Sequence, residues 1–427
     1  MNSTDNDNLR IASAVSRLET WFASMEGADG YHGPVVGLRT QLLGWCGAGN
    51  DWRWEGLLDG WRERHRLTGD PAYLAHMNLA LERLQQAQLA DGTLRNSYFD
   101  QNPCEGGMPY EPAVMAAVLR TVAYLRQQGQ EPSPGALGML DAFVEKRLIK
   151  ELWNKNLQTF NNWLQSDFES YAPPAVAAVV DVLAGYGALT GRAERWQHYL
   201  AGAGESLLAA QLGSGPLQGA MPVSNSAAAS VSPFLAARCL PALRCLASLT
   251  GDPRYATARE RLQRFVAGAL QPGGGIAFMQ HRQRPASVAP LFVGATAHVL
   301  RLLQEDGATF DMTSQIDWVL QHQSASGAFE TSVGFGGRGM PPRLPDWRDL
   351  LPVVAWNAFC YAMLAPRAGA AGANTSVAAP APVDRLVQVK SAKGRLLEDA
   401  GQIVLEVGGS PLFRWTKRTL APDVCLI

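Results

Sequence analysis

The sequence predicts an all-α fold, an (α/α)6 barrel in which six helical hairpins form a toroid, followed by a small C-terminal β-rich appendage. Two observations predict the toroid: a turn motif that recurs along the chain, and an alternation of apolar with amphipathic helical segments. A change of composition near residue 366 predicts where the toroid ends. The 427 residues exceed the length at which one compact core usually stops growing, and a closed ring of helices accommodates them.

The recurring motif is a helix end, then glutamine or a substitute, then a turn that contains glycine. Glycine suits such a turn because it adopts positive φ without steric cost. A degenerate copy lies near residue 156, and a second motif, Thr-Gly often followed by Asp-Pro, joins helices tightly between the copies. The clear copies place their turn glycines at Gly30, Gly92, Gly215, Gly274 and Gly327. The spacing therefore predicts six units.

The helical segments fall into two sets. One set is apolar almost all round, which is typical of buried helices, and we predict that it forms the inner ring. Its members are residues 52–67, 112–127, 174–189, 233–249, 289–304 and 349–364. The other set is amphipathic and is predicted to form the outer ring, at residues 9–25, 71–89, 134–153, 193–211, 253–270 and 311–323. The long connections then share one rim with the N-termini of the inner helices.

Three regions are predicted along the chain. Residues 1–365 form the toroid, and residues 366–382, rich in Ala, Gly, Pro, Ser and Thr, form a flexible linker. Residues 383–427 form a β-rich tail of three strands, which is too small to be stable alone.

The composition excludes several classes of protein. A net charge of −1 without a basic run argues against nucleic-acid binding, and no long apolar run predicts a membrane span. Cys239, Cys245 and Cys360 lie in apolar helices and are interpreted as buried thiols in a reducing compartment. We therefore expect a cytoplasmic protein with no metal site and no cofactor.

The repeats resemble two superfamilies that share a helical toroid. One contains the six-hairpin glycosidases with related sugar epimerases and lyases, and the other is the prenyltransferase and squalene-cyclase group. The resemblance lies in Thr-Gly-Asp-x-x-Tyr, as at 250–255, and in Gln-x-x-x-Gly, as at 323–327. The Asp-x-Asp-Asp acid of squalene cyclases is absent, and so is an Asp-x-Cys pair with a later His that could bind the zinc of prenyltransferases. The resemblance implies a toroid fold, with carbohydrate chemistry first and terpenoid chemistry as the alternative.

The predicted rim combines carboxylates with aromatic side chains. Sugars need flat rings to stack on and polar groups for their hydroxyls, and glycosyl transfer needs two carboxylates in different environments. The triplet Asp-Trp-Arg occurs at 51–53 and again at 346–348, before the first and last inner helices, which a ring places side by side. We predict Glu111, Asp51 and Asp346 as acid/base residues. The predicted substrate-binding residues are Trp52, Trp54, Glu55, Tyr110, Asn162, Trp163, Trp347 and Arg348.

The sequence thus favours an enzyme that acts on a sugar or uronic-acid-containing glycan by hydrolysis, elimination or epimerisation. Its predicted partner is a small molecule or oligosaccharide. Two alternatives stay open: a terpenoid-cyclase-like enzyme with an apolar central cavity, and a non-catalytic helical scaffold. A deep apolar cavity favours the first alternative, whereas a barrel plugged by its own residues and carboxylates in ordinary environments favour the second.

Overall fold

The structure, a computed structural model, describes residues 3–36, 43–44, 48–99, 106–162, 171–226, 230–281, 290–335, 344–369 and 381–417. Most of these residues are helical. The helices are α1 Ser3–Met25, α2 Trp52–Thr68, α3 Pro71–Ala87, α4 Tyr110–Gln127, α5 Pro134–Ala142, α6 Pro173–Thr190, α7 Ala193–Ala210, α8 Pro233–Ala237, α9 Cys239–Thr250, α10 Pro253–Gly268, α11 Val293–Glu305, α12 Thr313–Gln321, α13 Trp347–Leu350 and α14 Val354–Leu364. A π-helix, Phe143–Leu152, continues α5.

The helices form the two predicted rings. The inner ring runs α2, α4, α6, α8 with α9, α11 and α14, and α14 packs against α2 to close it. The two helices approach closely at Gly56, where a Cβ atom would lie 2.4 Å from the carbonyl carbon of Ala358. The outer helices α1, α3, α5, α7, α10 and α12 alternate with the inner ones along the chain. The prediction of an (α/α)6 toroid is confirmed.

The recurring glutamines hold neighbouring hairpins together. The Nε2 group of Gln88 donates to the carbonyl of Met139 on the next outer helix, at 2.9 Å. Gln323, in the last hairpin, donates in the same way to Ala14 on α1 and to its own turn glycine, Gly327, both at 2.8 Å. Because the last glutamine reaches the first helix, the motif that revealed the repeat also closes the outer ring.

Two predicted inner helices differ from the structure because of proline. The segment predicted at 233–249 is interrupted at Arg238, since Pro241 has no N–H and its ring crowds the carbonyl four residues earlier. The segment predicted at 349–364 begins only at Val354. Pro352 keeps Leu351 extended and separates the short helix α13 from α14.

Helix α6 has the length and mean hydropathy of a membrane span, and 67% of its 18-residue window is buried in the protein. It packs between α4 and α9 of the inner ring. Burial of most of its surface accounts for the apolar composition of this helix.

Short antiparallel strand pairs connect the loops at the N-terminal ends of the inner helices. They pair β1 with β2, β3 with β4, β5 with β6, β7 with β8 and β9 with β10. In chain order these strands are Glu26–Gly27, Gly30–Tyr31, Val35–Val36, Leu43–Gly44, Trp153–Asn154, Thr159–Phe160, Ser230–Val231, Gln280–His281, Leu291–Phe292 and Ser332–Val333. The β7–β8 and β9–β10 pairs each join loops of consecutive hairpins.

The C-terminal tail is an antiparallel meander of four strands, not the three predicted. Its strands are β11 Val383–Val389, β12 Ala392–Glu398, β13 Gln402–Val407 and β14 Ser410–Thr416, in that order. Strand β12 escaped prediction because Gly394 and its charged residues lower its β propensity. Its alternating burial nevertheless follows the period of a strand.

The sheet packs against the toroid, which compensates for its small size. Trp21 on α1 donates its indole N–H to Glu398 at 2.7 Å, and the ammonium group of Lys417 lies 2.9 Å from the same carboxylate oxygen. The main-chain N–H of Gln388 donates to Pro345, just before α13. These contacts tie the tail to the first and last hairpins.

Candidate active site

Both Asp-Trp-Arg triplets adopt the same local structure. Asp51 caps α2 by accepting from the main-chain N–H of Arg53 at 3.1 Å, and the guanidinium of Arg53 returns to that carboxylate at 2.8 and 2.9 Å. Asp346 and Arg348 repeat the arrangement on α13, with three contacts between 2.8 and 2.9 Å. Each predicted acid is thus already paired, and Asp346 caps a separate short helix rather than the last inner helix.

The predicted tryptophan platforms on α2 lie in the core. Trp52 is 0% exposed and Trp54 is 1% exposed, so neither indole offers a face to a ligand in this structure. Tyr110, another predicted binding residue, is also buried and contacts Trp52 with ring centroids 4.6 Å apart. These rings belong to a cluster that we call the aromatic plug, composed of Trp52, Phe99, Tyr110, Phe234, Trp356 and Phe359. The plug fills the barrel at the N-terminal ends of the inner helices.

Glu111 is fully buried beneath the same rim. Its carboxylate accepts from the main-chain N–H of Leu94 at 2.7 Å and lies 3.3 Å from the guanidinium of Arg147. Burial raises the pKa of Glu111 to about 7, although Arg147 and the hydrogen bonds oppose the shift. A carboxyl group of this kind suits acid catalysis if a ligand reaches it.

The contact of Glu111 with the main chain recurs in other hairpins, which indicates a structural role. In each case a polar side chain near the start of an inner helix accepts from the main-chain N–H two residues after a turn glycine. Thr296 does so at 3.0 Å and Asn357 at 2.6 Å. Glu111 therefore fastens its turn to the inner helix as neutral side chains do elsewhere in the ring.

The other predicted binding residues at this end have mixed placements. Trp347 is half-buried against the core, and Arg348 lies over the ring of Phe335 at 4.7 Å. Asn162 is half-buried, and its side-chain oxygen has no hydrogen-bond donor among the described residues. Trp163 lies outside the described residues.

A cavity of about 1220 Å³ occupies the barrel on the other side of the aromatic plug. Small side chains such as Ala116 and Ala178 form parts of its wall, and residues near the C-terminal ends of the inner helices, including Leu249, lie at its mouth. The cavity therefore opens beside the short helix-to-helix turns, opposite the rim predicted from the sequence. Its charged lining residues are Glu55, Arg62, Glu63, Arg120, Arg126, Asp181, Arg238, Arg244, Arg301 and Glu305.

An ion pair lies at the floor of this cavity. Arg238, at the break caused by Pro241, donates to Glu55 at 2.7 Å and stacks over Trp52 at 4.7 Å. Both members of the pair are buried. Of the residues predicted from the sequence, Glu55 is the one that lines the cavity.

Three arginines converge on one aspartate beside the cavity. Asp59 accepts from Arg62 at 2.9 Å, from Arg120 at 2.8 Å and from Arg301 at 2.7 Å. The three guanidinium groups hold the pKa of Asp59 well below its usual range despite complete burial. This cluster therefore carries an excess of positive charge.

Asp181 on α6 lines the cavity without a hydrogen bond or ion pair to any described residue. Burial raises the pKa of this carboxyl to about 7, while Arg120 and Arg244 oppose the shift and Glu55 reinforces it. A carboxyl group that titrates near neutrality and faces a cavity is able to donate a proton to a ligand.

His298 is a second polar group at the floor without a partner. It is 1% exposed, stacks on Phe359 with ring centroids 4.3 Å apart, and neither ring nitrogen has a hydrogen-bond partner among the described residues. Burial, reinforced by Arg238 and Arg301, holds the pKa of His298 well below its usual range. Its imidazole is therefore neutral, with one donor and one acceptor.

Sequence reasoning missed the cavity residues because their helices are apolar overall. Asp181 stands alone in an apolar run, and Arg238 stands between Ala237 and Cys239. A single charge inside an otherwise buried helix was the available signal, since such a residue needs a partner or a cavity. Half-buried Cys245 also lines the cavity and corrects the prediction that it is fully buried, whereas Cys239 and Cys360 are buried thiols.

The fold is similar to those of known carbohydrate-acting proteins. An unsaturated glucuronyl hydrolase specific for heparin matches with a TM-score of 0.55 and 13% identity, over 85% of this chain and 97% of that protein. An α-1,6-mannanase of Salegentibacter sp. HEL1_6 matches with a TM-score of 0.52 and 12% identity, over 84% and 99%. A D-mannose isomerase matches with a TM-score of 0.56 and 10% identity, over 84% and 96%. Neither a family model nor a curated protein matches the sequence. The likeness confirms the six-hairpin toroid.

Proposed function

We propose that the protein is a carbohydrate-active enzyme whose active site is the central cavity. The observation that carries the proposal is a pair of carboxyl groups in different environments, Asp181 without a partner and Glu55 bound to Arg238. Such a pair supplies a proton donor and an ionised base, as hydrolysis, elimination and epimerisation of sugars require. The similar proteins named above act on sugars, which supports the same substrate class here.

In this mechanism Asp181 is the general acid. Its proton is available near neutral pH because burial disfavours the charged carboxylate. Glu55 is the ionised partner, since the guanidinium of Arg238 stabilises its negative charge and fixes its orientation.

The charged lining argues against the terpenoid alternative, which requires an almost wholly apolar cavity. The scaffold alternative is supported by the aromatic plug at one end of the barrel, but it does not account for an unpaired carboxyl in a large cavity. The three cysteines in the described part of the chain, Cys239, Cys245 and Cys360, are free thiols, which supports the proposed cytoplasmic location.

The acids predicted from the sequence define an alternative location for the same activity. In that proposal Glu111, Asp51 and Asp346 act at the N-terminal ends of the inner helices. Asn162, Trp163, Trp347 and Arg348 would then bind the sugar. The central cavity is favoured instead because Asp181 and Glu55 line it whereas these three acids do not, and a catalytic carboxyl must reach the ligand.

The test is an activity screen of the full chain on neutral and uronic-acid-containing oligosaccharides, followed by chromatography and NMR of the products. Asp181→Asn removes the proposed acid with little change of volume, and we expect it to lower kcat/KM at least about 100-fold. Glu205→Gln, on the exposed surface of α7, is the matched control and should leave activity unchanged. Full activity of Asp181→Asn together with loss in Asp346→Asn or Glu111→Gln would move the site to the N-terminal end.

A further inference from the structure

Arginines are the commonest charged residues of the cavity lining. Six arginines line it, whereas four carboxylates do, those of Glu55, Glu63, Asp181 and Glu305. Two more carboxylates, those of Asp59 and Asp306, lie behind the arginines. The group is neutral with every side chain ionised and has a net charge of +1 when Asp181 is protonated. A cleft with walls of low dielectric strengthens the attraction between its arginines and an anion.

Two arginines at the mouth keep N–H groups for a ligand. Arg244 donates one N–H to the carbonyl of Glu305 at 2.6 Å and lies 3.6 Å from the carboxylate of Asp306, while its other nitrogens have no hydrogen-bond acceptor among the described residues. The side chain of Arg244 is 40% exposed. Arg126, on the last turn of α4, lines the same mouth and is exposed, with no acceptor among the described residues. A planar guanidinium with free donors suits a carboxylate or phosphate group.

The interior of the cavity offers different chemistry. Asp181 lines it, is half-buried and has no hydrogen bond or ion pair to any described residue. A carboxyl group bonds sugar hydroxyls through its oxygens. The cavity thus combines a group for hydroxyls in its interior with groups for an anion at its mouth.

We propose that the central cavity selects an anionic sugar, carrying a carboxylate or a phosphate group, which enters beside the short helix-to-helix turns. Its anionic group binds Arg244, and its hydroxyls bind Asp181 in the interior. The inference rests on the proposed function in taking the ligand to be a sugar. It goes further in naming the charge of the ligand, its orientation and its route of entry.

The test is isothermal titration calorimetry of the full chain with three probes: glucuronate, glucose 6-phosphate and glucose. We expect at least one anionic sugar to bind roughly ten-fold or more tightly than glucose, because a charge-assisted hydrogen bond adds to affinity. Arg244→Gln should remove most of that preference and leave glucose binding unchanged. Arg254→Gln, on the outer face of α10, is the matched control and should retain the preference. Comparison of the two anions identifies whether carboxylate or phosphate is preferred.

Equal affinity for all three probes, or a preference that survives in Arg244→Gln, would overturn the inference. Binding is measured without turnover, so the result is separate from the proposed function. Cleavage of neutral glycans that depends on Asp181 without any preference for anions would sustain the function and overturn the inference. Tight binding of anionic sugars, together with no turnover of any oligosaccharide in the activity screen, would sustain the inference and overturn the proposed function.

Discussion

The two ends of the inner ring are built from the same helices but have opposite character. At the N-terminal ends, large aromatic rings fill the barrel, and the acids Asp51, Asp346 and Glu111 are paired within the protein. Toward the C-terminal ends, small side chains leave a cavity of about 1220 Å³ lined by arginines and by the unpaired Asp181. A carboxylate beside aromatic residues therefore indicates a site only when it also lines a cavity that a ligand can enter.

The first prediction concerns the aromatic plug and has the largest expected effect. Trp52→Ala deletes a fully buried indole that contacts five other aromatic rings. We expect the free energy of unfolding to fall by about 4 kcal/mol, because transfer and cavity costs add. Urea denaturation measures the change. Leu249→Ala, at the exposed mouth of the cavity, is the control and should cost less than about 0.5 kcal/mol.

A small effect of Trp52→Ala would contradict the difference drawn between the two ends. A small loss of stability would mean that the N-terminal end of the barrel tolerates a cavity in place of the Trp52 indole, as a ligand site does. Retained stability together with altered sugar binding would return Trp52 to the stacking role predicted from the sequence.

The second prediction tests whether Glu111 is structural. Glu111→Ala leaves the N–H of Leu94 without its acceptor in the core and leaves Arg147 with Glu151 as its remaining anionic partner, at 3.3 Å. We expect a loss of about 3 kcal/mol in the free energy of unfolding at pH 5, where Glu111 is protonated and its raised pKa adds no penalty. Glu145→Ala, in an exposed pair with Arg195, should cost less than about 0.5 kcal/mol. Equal stability of the two variants would show that Glu111 is not needed for the fold.

The third prediction is a pH dependence at the other end, with the smallest effect and the opposite sign. The pKa of Asp181 is raised to about 7, so the folded state binds its proton more tightly than the unfolded chain. Stability from this group is therefore present at low pH and falls as pH rises from about 4 to about 7. Asp181→Asn removes this loss of stability. We expect the difference in the free energy of unfolding, variant minus wild type, to be about 2 kcal/mol larger at pH 8 than at pH 5.

Thermal denaturation of both proteins at pH 5 and pH 8 measures this effect. Glu111 and Asp349 have pKa values raised to about 7 and about 6, and they titrate in the wild type and the variant alike. The difference between the two proteins thus isolates Asp181. Destabilisation of Asp181→Asn at pH 8 would mean that the carboxylate has a partner and is not free to act on a ligand.

Helices and their order could be predicted from the sequence because the signals are local. Apolar periodicity, turn glycines and proline positions placed most helix boundaries within about three residues. Local signals also explain the capping of α2 by Asp51. They failed in two places. The prediction continued one helix through the break at Arg238 that precedes Pro241, and it missed strand β12, whose stability comes from pairing with its neighbours.

The candidate site was less predictable because burial and pairing are not properties of a residue type. The sequence shows that Glu111 and Asp181 are acids on inner helices, but not which of them has a partner. In the folded chain Glu111 meets Leu94 and Arg147, whereas Asp181 faces a cavity. The same limit explains why Trp52 resembled a stacking platform and lies in the core.

The six-hairpin ring follows from local sequence patterns, because the repeat of apolar faces leaves each hairpin dependent on its neighbours for burial. The tertiary structure alone decided which end of the ring is filled and which is open. That outcome depends on how side chains from helices distant in sequence meet at the axis: bulky rings meet at one end, and alanines with like-charged arginines meet at the other.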